Sequence, residues 1–300
     1  MSTKLKKLSL KDNYAETLLE TEDCIFSIAF CKETNGIFYS NFTKNNISMF
    51  ALDKKDVVLY KEDNIMCPKS ICFNEDHTRL FYEDNADGIS GFYVKNALVF
   101  SWTAYGSGGG IESQQDLRNI ISKDFVDMKT KVNCIDYVDD LEMVFISRCK
   151  KHSVDCINNF GRICKLIGSG KADFCSSTNP LNVSFNCPTG LCFVASTNEL
   201  FVADTNNHIL RHFSKNNGWK ELQIIGIPTQ EGSRDGKCAD ATFRFPSEIC
   251  NFGENIFIID DGNKIRRIDA NKNEVTTVRS TGNFIKSVTC DKDSVYWAEW

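Results

Sequence analysis

Two segments, Glu199–Arg211 and Asn255–Arg267, share one rhythm: an apolar run, an acidic stop at Asp204 or Asp260, and a second short strand. A unit that recurs with fixed internal order is the signature of a repeat architecture, and it limits the fold more than any other feature of the chain. The recurrence speaks to architecture and carries little information on activity.

The unit has four parts. It opens with an inner strand, seen at Pro68–Phe73, Pro188–Phe193 and Pro246–Asn251, with weaker copies at Phe26–Phe30, Asn133–Tyr137 and Lys286–Cys290. Proline suits the first position, where its missing N–H costs no ladder bond. A polar turn and a second strand follow, at Gly36–Asn41, Arg79–Asp84, Glu142–Ser147, Glu199–Asp204, Asn255–Asp260 and Ser294–Glu299. These second strands are apolar on both faces, with Leu200 and Val202 on one and Phe201 and Ala203 on the other. A hairpin strand with one wet face would alternate apolar and polar residues. Two apolar faces require a sheet on either side, as between the blades of a propeller. Third and fourth strands come next, as at Lys264–Asp269 and Glu274–Val278.

Five units have all four strands, and the sixth stops after two, at Trp300. Its missing half is at the other end of the chain, where Lys4–Leu18 aligns without a gap on Lys264–Val278. The expected fold is therefore all-β: a six-bladed β-propeller of four-stranded antiparallel blades, with the N-terminal strands completing the last blade. Such closure removes an open sheet edge, the known hazard of β-proteins. The expected blades are 24–66, 67–130, 131–185, 186–243 and 244–283, with the sixth made from 284–300 and 1–23. Propellers of this length are commonly one domain, so a single domain over 1–300 is expected.

The unit resembles the NHL repeat of six-bladed propellers. The resemblance rests on Pro188-Thr189-Gly190-Leu191, on Leu200 to Leu210 with Asn207-His208-Ile209, and on Pro246 to Arg267 preceded by Gly226, Asp235-Gly236, Ala241 and Phe243. The third blade departs from the pattern, reading Phe145-Ile146-Ser147-Arg148 where the acidic stop belongs. The resemblance implies the propeller shape and leaves the job open. Some members of the family bind proteins or RNA, and others resemble hydrolases or lyases with a metal in the central channel.

A net charge of −5 argues against broad, charge-driven nucleic-acid binding. Basic residues do cluster, at Lys4, Lys6 and Lys7 with Lys264, Arg266 and Arg267, and at Arg148, Lys150 and Lys151. The first two sets fall on third strands and are expected as solvated outer-strand charges. The segment Met1–Lys7 has no apolar stretch behind its charges, and no run reaches the length of a membrane span. A cytoplasmic location without membrane association is expected, with the 14 cysteines as free thiols.

Candidate site residues are few. His77, His152, His208 and His212 are expected in structural roles. Asn133, Asp136 and Glu248 are the inner-strand candidates for a calcium-type site at the channel mouth, and no metal or other cofactor is assigned. Cys72, Cys192 and Cys250 occupy one inner-strand position, filled elsewhere by Ala29, Asp136 and Thr289. A thiol ring could hold a soft metal, but alternation with Ala and Thr fits a demand for a small residue. Asp204, Asp260 and Glu299 repeat one local job, accepting backbone N–H groups. Gly168–Lys171 is followed by Ala172, where a phosphate loop needs Ser or Thr. Behind the linker Gly106–Gly110, Ser113–Phe125 reads as a short helix with Leu117, Ile120, Ile121 and Phe125 on one stripe.

These readings converge on a monomeric, non-enzymatic protein-interaction module that presents propeller loops to a protein partner. The alternative is a metal-dependent hydrolase or lyase with a small-molecule site in the central channel. An RNA-binding propeller stands third.

Overall fold

The computed structural model of the chain describes residues 2–61, 65, 67–84, 88–94, 99–101, 132–158 and 163–300. The Gly106–Gly110 linker and the expected helix over Ser113–Phe125 lie outside the described residues. The chain opens with β1 (Thr3–Ser9) and β2 (Ala15–Thr21). Blade 1 follows as β3 (Ile25–Cys31), β4 (Gly36–Asn41), β5 (Asn46–Ala51) and β6 (Asp56–Lys61), and blade 2 as β7 (Ile71–Phe73), β8 (Arg79–Asp84), β9 (Gly88–Tyr93) and β10 (Val99–Ser101). Blade 3 is β11 (Cys134–Val138), β12 (Met143–Arg148), β13 (Ser153–Asn158) and β14 (Ile163–Ile167). Blade 4 is β15 (Pro188–Val194), β16 (Glu199–Asp204), β17 (Ile209–Ser214) and β18 (Lys220–Ile225). The short β19 (Gly236–Lys237) precedes blade 5, made of β20 (Ile249–Phe252), β21 (Asn255–Asp260), β22 (Lys264–Asp269) and β23 (Glu274–Ser280). The chain ends with β24 (Ile285–Cys290) and β25 (Ser294–Glu299).

The described strands form six antiparallel sheets, five of four strands and one of five, because β19 adds to the outer edge of β23. The sixth sheet runs β2-β1-β25-β24, so the two chain ends share it. Leu5 pairs with Ala298, Lys7 with Tyr296 and Leu8 with Val295. The fold is thus a closed β-propeller whose N-terminal strands complete the last blade.

Each second strand buries both of its faces, and the core is divided accordingly. Leu200 and Val202 pack with Phe145 and Phe185 between blades 3 and 4. Phe201 and Ala203 pack with Ile249 and Ile256 between blades 4 and 5. Blades 5 and 6 meet through Phe257, Ile259 and Trp297, and blades 6 and 1 through Leu5, Tyr296, Ile28 and Ile37. The clusters between blades 1 and 2 and between blades 2 and 3 complete the circle. No blade buries its apolar faces alone, so the fold stands as a ring of mutually covering sheets.

The acidic stop is one half of a buried ion pair. Asp204 at the end of β16 faces Arg211 Nη1 at 3.6 Å, and Asp260 at the end of β21 accepts from Arg266 Nη1 at 3.0 Å. All four side chains are fully buried. Each aspartate also holds the segment leading into its own blade: the Asn186 N–H donates to Asp204 Oδ1 at 2.7 Å and the Arg244 N–H to Asp260 Oδ1 at 2.6 Å. The guanidinium groups are satisfied further by backbone carbonyls, Ser184 O and Cys175 O for Arg211, Thr242 O and Arg234 O for Arg266.

Blade 6 repeats the pair as Glu299 with Lys6 at 2.8 Å, at the position that the alignment of Lys4–Leu18 on Lys264–Val278 assigns. Blade 3 repeats it with the charges exchanged: Arg148 stands on the second strand and Asp155 on the third, 2.9 Å apart and buried. In all four blades the third-strand partner lies two residues beyond the one paired directly across the ladder. Arg266 and Lys6 therefore correct one expectation. They are not solvated outer-strand charges but face carboxylates inside their blades, because a buried charge is tolerated only with a partner.

Candidate functional site: the central channel

The six inner strands enclose a channel of about 510 Å³. The residues at its open end come from the turns between first and second strands, including Glu75, Asp140, Ser196 and Phe252. Left-handed residues make these turns tight, at Asn35, His77, Glu142, Asn198 and Gly253 in successive blades.

Pairing with the second strands fixes which inner-strand residues are equivalent. Ala29, Cys72, Asp136, Cys192, Cys250 and Thr289 lie opposite Phe38, Phe81, Phe145, Phe201, Phe257 and Tyr296. The equivalence read for the thiols Cys72, Cys192 and Cys250 is therefore real in three dimensions. Two residues earlier on each strand stand Ser27, Ser70, Cys134, Gly190, Glu248 and Ser287.

Most polar side chains on these two levels stitch one blade to the next. Ser27 Oγ accepts the Ile71 N–H at 3.3 Å, Ser70 Oγ the Ile135 N–H at 3.1 Å and Ser287 Oγ the Ile28 N–H at 3.1 Å. On the second level Thr289 Oγ1 accepts the Phe30 N–H at 3.1 Å, and Asp136 Oδ2 accepts the Phe193 N–H at 2.6 Å. The inner strands are too crowded for larger groups: a Cβ on Gly190 would lie 1.9 Å from Ser247 O of the neighbouring blade.

Of the three sequence candidates, the channel brings together two. Asp136 and Glu248 both line it. Asn133 is not a lining residue; its Oδ1 accepts the Cys149 N–H at 3.2 Å and so fixes the turn after β12. Burial pushes the Asp136 carboxyl up to about 7, against the two backbone N–H groups that favour its ionised form. Burial likewise pushes Glu248 up to about 7, offset in part by Lys286. Burial also raises the thiols of Cys72, Cys134, Cys192 and Cys250, which keeps them protonated and unreactive near neutral pH. Among the described residues no group of three or more His, Cys, Asp or Glu is arranged to hold a metal ion.

The Glu248 shift carries a stability consequence with a definite sign. Its folded value lies above the ordinary 4.5, so its contribution is fully present at pH 4 and is lost as pH rises toward 7. Glu248→Gln removes that loss. The variant is expected to match the parent at pH 4 and to exceed it at pH 8 by on the order of 2–3 kcal/mol in urea unfolding. A variant less stable than the parent at pH 8 would contradict the burial of this acid.

The histidines all make structural contacts. His152 Nδ1 accepts the Cys187 N–H at 3.1 Å, and His208 Nδ1 accepts the Phe245 N–H at 3.2 Å. Both take the left-handed conformation at the same point of successive blades and latch the segment leading into the next one. Asn45 does the same for Cys67 at 2.8 Å in blade 1. His77 Nδ1 accepts the Lys32 N–H at 3.4 Å, and His212 stacks on Phe201 and meets Glu199 at 3.2 Å.

One expectation about cysteine is overturned. Cys149 and Cys187 form a disulfide, and the other twelve are free. The same point of the next blade explains it: there Thr205 Oγ1 donates to Pro246 O at 2.8 Å. Blade 3 places Cys149 where blade 4 has Thr205, so a covalent bond replaces a hydrogen bond between turn and lead-in. Sequence reading missed this pair, and it missed the exchanged ion pair of blade 3, although Arg148 and Asp155 have the spacing of Asp204 and Arg211.

Among the described residues no helix is long and apolar enough to cross a membrane. Residues 185–213 match the family model of the NHL repeat. No curated protein matches the chain by sequence. Its fold is similar to that of a chain in the crystal structure of a nidogen/laminin complex, with a TM-score of 0.63 at 12% identity over 92% of each chain. It is also similar to virginiamycin B lyase from Staphylococcus aureus, with a TM-score of 0.57 at 13% identity over 99% of each chain. A protein of unknown function from Bacteroides thetaiotaomicron VPI-5482 gives 0.66 at 12% identity, over 99% of this chain and 76% of that one. At such identities the likeness establishes the fold alone.

Proposed function

We propose that this NHL-type β-propeller is a non-enzymatic interaction module that binds a protein partner on the face where its channel opens. One observation carries the reading. Most polar groups of the inner strands, Glu248 excepted, are committed to blade-to-blade bonds, so the ring is a rigid support for turns that differ from blade to blade. Glu75, Asp140, Ser196 and Phe252 surround the mouth, and the Phe252 side chain is 48% exposed. Rigid scaffolds that position dissimilar turns are the usual form of a recognition surface. One relative in shape comes from a protein–protein complex, which agrees with this reading.

The test is capture of a partner by the intact propeller and by a variant whose turns 195–198 and 252–254 are replaced with Gly-Ser. Loss of the partner from a variant with an unchanged melting temperature supports the proposal, and retention by that variant contradicts it. A second reading, a hydrolase or lyase acting on a small molecule, draws on the two channel carboxyls, Asp136 and Glu248. A stoichiometric metal ion in the purified protein would favour it. We place the protein in the cytoplasm, as a monomer. Thiol counting on the purified, denatured protein should find twelve reactive cysteines before reduction and 14 after it; 14 before reduction would contradict the Cys149–Cys187 bond.

A further inference from the structure

The inner level of the channel contains one residue that the fold does not explain. Ser27, Ser70 and Ser287 each accept an N–H from the following blade. Cys134 Sγ points at Leu191 O, 3.8 Å away. Gly190 must be small because the backbone of blade 5 fills the space beside it. Glu248 breaks this series. Among the described residues its carboxyl receives one long hydrogen bond, from Ser287 Oγ at 3.4 Å. Glu248 is half-buried where it borders the channel, and a carboxyl shielded from water with so weak a partner favours a ligand that supplies a better one. Asp136 lines the channel as well, one level nearer the mouth.

Between these carboxyls and the open end four aromatic residues border the channel, with most of each ring packed into the clusters between blades. Phe30, Phe73, Tyr137 and Phe193 occupy one register position in four blades, and all line the channel. Aromatic faces attract cations, most strongly where water is displaced. Glu75, Asp139 and Asp140 add negative charge at the mouth, with Asp139 paired to Arg79 and Asp140 to Lys215. A volume of about 510 Å³ lies within the range of small-ligand sites.

We propose that the channel is a receptor for a cation on an apolar stem, an ammonium or guanidinium group that passes the half-exposed Phe30 and Phe73 to reach Glu248 and Asp136. The cation is supplied by a lysine or arginine side chain of a protein partner or by a free organic amine. In the first case the inference rests on the interaction reading above and names what the partner inserts.

The groups facing the two acids set the pH response. Glu248 faces Lys286 and Ser287 from β24 and Cys134 from β11, with Cys250 on its own strand. Asp136 faces Cys72, Cys134 and Cys192. The thiols are held protonated by burial and do not compete for the cation. Between pH 6 and pH 8 the acids pass from mostly neutral to mostly ionised, so affinity for a fixed cation should rise about tenfold.

The experiment is calorimetry with 4-phenylbutylamine, its neutral counterpart 4-phenylbutanol, and an acetylated Gly-Lys-Gly peptide amide. The same protein is followed by carboxyl NMR with Glu248 assigned. The amine or the peptide should bind at least tenfold more tightly than the alcohol, and more tightly at pH 8 than at pH 6. Glu248→Gln should shrink both differences, leaving what Asp136 supplies, and saturation should move the Glu248 titration downward in the parent. Equal binding of amine and alcohol, or a Glu248 titration unmoved by either cation at saturating concentration, overturns the proposal. If Glu248→Gln fails to fold, the titration in the parent protein decides. A free amine that binds while the peptide does not keeps the cation site but contradicts a partner's side chain as its source; the reverse result assigns the site to the protein partner.

Discussion

Removal of residues 1–20 is expected to leave a chain that does not fold as a soluble monomer. The deletion takes away β1 and nearly all of β2, and with them Leu5 and Leu8, which are fully buried. Each such leucine contributes about 1.5–3 kcal/mol by burial. The loss does not stop there. The ladder from Lys4↔Glu299 to Ser9↔Ser294 disappears, so β25 becomes an edge with Tyr296, Trp297 and Ala298 newly uncovered. Glu299 also loses Lys6, its partner at 2.8 Å. Together these terms rival the roughly 5–15 kcal/mol that separates a typical folded domain from its unfolded chain. Size-exclusion chromatography and a thermal melt check the outcome. A monomeric deletion variant with the parent's melting temperature would contradict the closure of the ring.

The second large effect is expected in blade 3. Arg148→Asp places two carboxylates where Arg148 and Asp155 now meet at 2.9 Å, in a site that excludes water. Breaking a buried pair by changing one partner typically costs about 3–5 kcal/mol. Asp155→Arg alone should cost a similar amount. The double variant Arg148→Asp with Asp155→Arg should regain most of the stability, because it gives blade 3 the orientation that blades 4 and 5 already have in Asp204–Arg211 and Asp260–Arg266. A double-mutant cycle in urea measures this coupling directly. Losses that simply add would show that the two charges do not act as a pair.

Much of the architecture was legible because repetition exposes position. Leu200–Ala203 announced a strand covered on both sides, and the sheets of blades 3 and 5 provide that cover. The gapless match of Lys4–Leu18 to Lys264–Val278 put Lys6 on Arg266, and both meet an acidic stop. The channel was legible only in part. Asp136 and Glu248 could be drawn to it from their inner strands, since alternation along a strand fixes the level of each residue. Asn133 could not be separated from them, because its turn to Cys149 depends on the path of the chain after β12. The Cys149–Cys187 bond was hidden for a similar reason: 38 residues separate its ends, and only the docking of adjacent blades brings them together. The exchanged charges of Arg148 and Asp155 were readable in principle, since the seven-residue spacing matches Asp204 and Arg211. Blade 5 obscured the rule, because its turn through Asp261 and Gly262 is one residue shorter.

The test closest to the central claim is nuclear Overhauser contact between the two ends of the chain. Cross-strand contacts linking Leu5 with Ala298 and Leu8 with Val295, together with slow amide exchange along 294–299, are the predicted result. Contacts of 3–9 with any other sheet, or rapid exchange along 294–299 with no contact to 3–9, would show an open array in place of a ring.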